Sequence, residues 1–195
     1  MADRNRAWVL GAALLSVLTG CGGSGGPHEP HPSTAHRATP LARLEPIPLG
    51  GASPPEDAGR LTFLAELSFP HGRLVAYVAE DACGLLTDPG DRTEGGIRLE
   101  SGFPGEGQGS DRYPGGPYGT VSGADGAGRW ASLSCSRNAM VIDYVSGDPG
   151  APGRTRGHAT LTEVADNPAT TRIVVGDTGI RERISRRAAA AAHRT

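Results

Sequence analysis

The sequence contains no lysine, so its positive charge rests on arginine and histidine. An arginine-only chain rich in alanine, glycine and proline reflects GC-rich coding and by itself implies no chemistry. It has no basic stripe: 19 arginines stand against 21 acids, a net charge of −2, which argues against nucleic acid as a partner. Only three cysteines occur, Cys21, Cys83 and Cys135, and none are spaced Cys-x-x-Cys, which removes the usual dithiol redox motif. No Gly-x-Ser-x-Gly stands at a strand-to-helix elbow, where a hydrolase presents its serine. A long hydrophobic run is missing too. The apolar stretch Ala7–Leu18 spans only ~18 Å as a helix, short of the ~30 Å hydrocarbon core.

What is present begins with a leader. Arg4, Arg6 and the amino terminus oppose a single Asp3, and the apolar stretch follows before glycine and proline take over. A basic start, a short apolar core and a small-residue end describe a signal peptide over residues 1–20 rather than a permanent anchor. Leu18-Thr19-Gly20-Cys21 resembles the bacterial lipobox, in which a branched apolar residue and two small ones precede a cysteine. The resemblance implies cleavage before Cys21, alkylation of its thiolate by a diacylglycerol donor, and a mature lipoprotein on the extracytoplasmic face of the cell membrane. Two or three acyl chains anchor stably, because each buried CH₂ contributes about 0.8 kcal/mol and a single chain is marginal. The alternative is an ordinary secretory cut that leaves Cys21 for a disulfide.

Gly22–Gly59 holds eight of the 16 prolines and few large apolar residues. Such a stretch cannot offset its ordering entropy by burial, so residues 21–59 are expected to form a disordered tether. The remainder, 60–193, is long enough for one domain with one core. Cys83 and Cys135 are then an even pair in an oxidising location, where bridging is commoner than two free thiols.

Leu61, Phe63, Ala65, Leu67 and Phe69 alternate with polar residues, Leu64 excepted, which predicts a half-buried strand. Pro70-His71-Gly72 suits a tight turn into the apolar Leu74–Ala79. Further strands are expected at Ile97–Leu99, Trp130–Cys135, Ala139–Val145, His158–Val164 and Thr171–Val175, the last two as a hairpin about Asn167-Pro168. Gly102–Gly128 carries ten glycines and three prolines and reads as a long loop or flap. Asp177 or Thr178 can cap a helix near 178–192 that places Ile180 and Ile184 on one face. The expected fold is mainly β: a small antiparallel sandwich or barrel of about seven strands with one C-terminal helix.

Candidate chemistry is thin. His28, Glu29, His31 and His36 are residue types that suit zinc or copper, but prolines keep the segment extended and no scaffold fixes its geometry. No metal or cofactor is assigned. His71 and His158 are candidate bases and Asp143 a candidate acid, with no activated nucleophile beside them; Asp143 can equally point to water. Glu80 and Asp81 are adjacent, hence on opposite faces of a strand, and cannot flank one bond. Glu106, Asp111 and Asp125 lack the Asp-x-Asp-x-Asp-Gly order of a calcium loop. No catalytic set is assigned. The residues favour a lipid-anchored extracytoplasmic binding or interaction protein. The alternatives are a small envelope-acting hydrolase and an accessory or inhibitory lipoprotein of an envelope complex. Tyr113 and Tyr118, rigid anchors among adaptable glycines, are the expected ligand contacts.

Overall fold

The computed structural model describes residues 37–49, 58–70, 72–89, 95–126, 128–145, 153–164, 167 and 169–192. In chain order the strands are β1 (Thr62–Phe69), β2 (Gly72–Val78), β3 (Ala82–Pro89), β4 (Arg98–Gly102) and β5 (Gly119–Ala124), then β6 (Trp130–Cys135), β7 (Ala139–Val145), β8 (Arg154–Gly157), β9 (Ala159–Glu163) and β10 (Thr170–Gly176). The helix α1 (Thr178–Ala192) follows. Two five-stranded sheets result, ordered β4-β3-β2-β1-β8 and β5-β6-β7-β10-β9, with every paired strand antiparallel. Neither sheet closes on itself. Of the two expected architectures, the sandwich is the one formed.

The exception in the β1 alternation has a cause. Phe63 pairs with Tyr77, yet Ala65 pairs with Ala76, so Leu64 is the extra residue of a β-bulge. One inserted residue reverses which side chains face inward, and Leu64 is buried in the core with Ala65 and Leu67.

Between the sheets lies one apolar core, in which Leu74, Ala76 and Val78 of β2 join Leu133, Ile142 and Ile173 of the other sheet. On the outer face of the second sheet, Ala139, Val141 and Val174 are covered by Ile180 and Ile184 of α1 together with Tyr113 and Tyr118. That second layer explains the apolar stretches Ala139–Ile142 of β7 and Ile173–Val175 of β10: both faces of each are buried there. Each of the two isoleucines, fully buried, contributes about 1.5–3 kcal/mol. Asp177 caps the helix as expected, its Oδ1 accepting the Ile180 N–H at 2.8 Å.

Three strands escape the sequence pattern. β3 continues the apolar run of β2 after a turn at Glu80-Asp81, so the pair of acids sits between strands rather than on opposite faces of one. β5 lies inside the expected flap, and two of its glycines admit the neighbouring strand: a Cβ on Gly119 would stand 2.9 Å from Ser101 Oγ, and one on Gly123 3.0 Å from Leu99 Cδ2. β8, Arg-Thr-Arg-Gly, is fully exposed and has no apolar period to reveal it. It leads directly into β9 through Gly157, whose φ of +81° turns the chain from one sheet to the other.

The packed unit also starts earlier than residue 60. Leu41 is 0% exposed and belongs to the core with Leu44. The Leu41 N–H donates to the Arg137 carbonyl at 2.8 Å and the Ile47 N–H to the Phe63 carbonyl at 2.9 Å. Residues 37–49 thus form a strap running from the second sheet to the first, where a disordered tether was expected. Residues 21–36 and 50–57 lie outside the described residues.

Candidate functional site

Three connections converge at one end of the sandwich. In the β6–β7 turn, Ser136 Oγ accepts the N–H groups of Asn138 at 3.3 Å and Ala139 at 3.0 Å and donates to the Ala139 carbonyl at 3.1 Å. A serine that satisfies the backbone of its own turn fixes that turn, and Arg137 at its tip is left exposed. The Phe103 N–H donates to the Asp81 carbonyl at 2.9 Å, tying the segment after β4 to the β2–β3 turn. The Cys83 and Cys135 sulfurs are bonded, with Cα atoms 6.1 Å apart. Cys83 follows the β2–β3 turn and Cys135 precedes the β6–β7 turn, so the bridge clamps the two sheets at this end.

The strap crosses these turns and completes a cleft of about 830 Å³, whose lining includes Arg37, Pro40, Arg43, Glu80, Phe103 and Arg137. Three guanidinium groups therefore face one carboxylate, in a chain whose overall charge is negative. Among the described residues, none of the three arginines forms an ion pair. Arg137 lies 5.4 Å over the Phe103 ring, a cation–π contact that holds the plane of its guanidinium. The cleft can neutralise an anion, and its aromatic wall accepts an apolar neighbour beside it.

Other titratable groups are committed elsewhere. Asp143, a candidate acid, is bound by Arg172 at 2.6 and 2.9 Å rather than pointing to water. Glu66 is buried between Arg73 at 3.6 Å and Arg156 at 3.3 Å. Asp125 accepts the backbone N–H of Arg129 at 3.0 Å and pairs with its guanidinium. His158 Nε2 bonds the Glu45 carbonyl at 2.9 Å, which pins the strap to the β8–β9 corner. Glu106 and Asp111 are exposed, and no group of three or more histidines, cysteines or acids gathers as metal ligands among the described residues. Cys21, His28, Glu29, His31, His36 and His71 lie outside those residues.

The two tyrosines expected to meet a ligand are placed differently. Tyr113 and Tyr118 are 7% and 2% exposed and stack edge to face at 5.7 Å beneath α1. The Tyr118 hydroxyl donates to the Pro114 carbonyl at 2.7 Å, and burial pushes its pKa up to about 12. These rings fasten the glycine-rich segment to the outer sheet face, where each buries a large aromatic surface. Gly115, at φ +90°, lets the backbone pass the Ile180 side chain, which a Cβ there would approach to 2.8 Å.

Asp177 couples the cleft wall to the helix, its carboxylate accepting both the Ile180 and the Thr39 N–H. Burial raises its pKa, but those two bonds and the nearby Arg183 outweigh burial, and the net shift is downward. A depressed carboxyl stabilises above its unfolded pKa of about 3.9 and loses that contribution as pH falls through the folded value. Asp177→Ala is therefore expected to cost about 1 kcal/mol at pH 7, with the difference from wild type shrinking in thermal melts at pH 3. Asp177→Asn, which keeps the capping oxygen, should lose less.

No protein-family profile, curated protein or solved structure matches the chain.

Proposed function

We propose that the chain is a lipoprotein, processed at Cys21 and anchored by acyl chains on the extracytoplasmic face of the cell membrane, whose sandwich domain binds a ligand rather than transforming one. The leader, the Leu18-Thr19-Gly20-Cys21 motif and a cystine suited to an oxidising compartment support the address. Support for binding is one observation: three arginines that form no ion pair among the described residues line one preformed cleft, whereas Glu66, Asp125, Asp143 and His158 are each held by a structural partner.

The address is tested by expressing the full chain in a bacterium that processes lipoproteins and measuring the intact mass of the membrane fraction. The expected species lacks residues 1–20 and carries a diacylglyceryl group on Cys21, and Cys21→Ala abolishes both changes. Recovery of wild type with the leader retained and Cys21 unmodified overturns the proposal.

A further inference from the structure

We infer that the arginine-lined cleft binds the phosphate-bearing headgroups of anionic phospholipids in the membrane to which the chain is anchored, an assignment that rests on the lipid-anchored reading above. Four observations converge on it. First, Arg37, Arg43 and Arg137 line one opening with Glu80 as the sole carboxylate among its described lining residues. Three cations against one anion attract a phosphodiester, and guanidinium groups match phosphate oxygens with paired N–H donors. Second, none of the three arginines is neutralised by an acid among the described residues, whereas Arg73, Arg129, Arg156 and Arg172 all are. Arg60, Arg112, Arg154, Arg183 and Arg187 also form no ion pair among the described residues, so what distinguishes Arg37, Arg43 and Arg137 is that the three share one opening.

Third, the volume suits the occupant. About 830 Å³ is far more than an inorganic phosphate needs and falls within the range of sites that take a whole small molecule. Ala38, Pro40, Ala42 and Phe103 add apolar surface to the same lining, suited to the glycerol end of a headgroup. Fourth, the cleft lies where the chain enters the domain. Fifteen residues separate Cys21 from Arg37, and whatever their conformation the sixteen steps between the two span at most ~55 Å. In an anchored chain headgroups are thus always within reach of the domain, which makes their encounter with the cleft effectively intramolecular. Pairing with anionic lipid would draw the domain down onto the bilayer, cleft first.

The assay separates the cleft from the anchor by using the full chain with Cys21→Ser, which carries no acyl group. Its co-sedimentation is measured with vesicles of phosphatidylcholine alone and of phosphatidylcholine with 30% phosphatidylglycerol. Two variants are compared in that background, Arg43→Gln/Arg137→Gln in the cleft and the charge-matched Arg186→Gln/Arg187→Gln on the exposed face of α1. Each arginine near an anionic surface contributes about fivefold to partitioning. The cleft pair should therefore bind anionic vesicles about 25-fold more weakly, while the helix pair keeps most of its binding. Salt at 0.5 M should erase the difference, because the Debye length then falls to a few ångströms. Thermal melts confirm that the exposed substitutions leave the fold intact.

Equal loss in both variants assigns the effect to general charge, and no loss in either assigns it to the leader; both outcomes overturn the inference. A third arm titrates inorganic phosphate alone. If phosphate stabilises the wild-type melt but not the cleft variant, while vesicle binding is the same for both, the site serves a soluble anion and the headgroup assignment falls. Intact mass distinguishes the two levels of proposal. A lipidated Cys21 with a cleft indifferent to vesicles removes only the headgroup, and an unmodified Cys21 with cleft-dependent vesicle binding removes only the anchor.

Discussion

Replacing Cys83 and Cys135 together by alanine is expected to lower the stability of the domain by about 4 kcal/mol. The bridge closes a loop with a sequence separation of 52, and the unfolded chain without it regains the conformations that closure had removed. Both sulfurs are also buried in the shared core, so the alanines leave a void that adds to the loss. Guanidinium titration of the full chain checks this: the midpoint should fall sharply in the double variant and in the reduced wild type alike. An unchanged midpoint would show that the sheets hold each other without the clamp. The same experiment bears on the cleft, because the β2–β3 and β6–β7 turns that carry Glu80 and Arg137 are held together by that bond.

The second large effect is expected at Leu41. Leu41→Ala should cost about 2–5 kcal/mol, the range for deleting a fully buried leucine side chain. The loss should be local before it is global. Hydrogen exchange at the Leu41 amide, which donates to the Arg137 carbonyl, is expected to accelerate well ahead of the β7 and β10 amides, since the strap is joined to the sandwich by few bonds. If the variant melts like wild type, the strap adds nothing to the core and the domain begins near residue 60 after all. Vesicle binding should weaken with it, since Arg37 and Arg43 ride on the same segment.

Much of the fold was legible because the physics that forms it is local. Period two in β1 and β6, the apolar run that opens β7, the Pro-His-Gly turn and the Asp177 cap each act within a few residues, and a sequence displays them directly. Even the defect at Leu64 was visible as a break in alternation, though only the pairing of Phe63 with Tyr77 and Ala65 with Ala76 shows that it is a bulge. The misses have physical reasons. β5 is built from small residues because β4 approaches it closely, so burial there needs no large side chain. Leu41 and Leu44 are two leucines in a proline-rich stretch, and nothing nearby indicates that they reach a core formed 20 to 130 residues later. Tyr113 and Tyr118 were read from composition as anchors for a partner, and anchors they are, but for their own chain beneath α1.

The cleft was illegible for a different reason. Arg37, Arg43 and Arg137 belong to two segments distant along the chain, and in a sequence whose every fixed cation is arginine, no single one stands out. Only the folded turns show which guanidinium-bearing residues share one opening.

The strap also determines how the domain answers a mechanical load. Tension arriving from the N-terminal side meets the Thr39 bond to Asp177 and then the Leu41 side chain and its bond to the Arg137 carbonyl, while the Cys83–Cys135 bond lies wholly downstream. Peeling residues 37–49 away frees at most ~45 Å of extended chain while β1, an interior strand of its sheet, stays in place. A pull on that end is therefore expected to open the cleft while the sandwich stays whole.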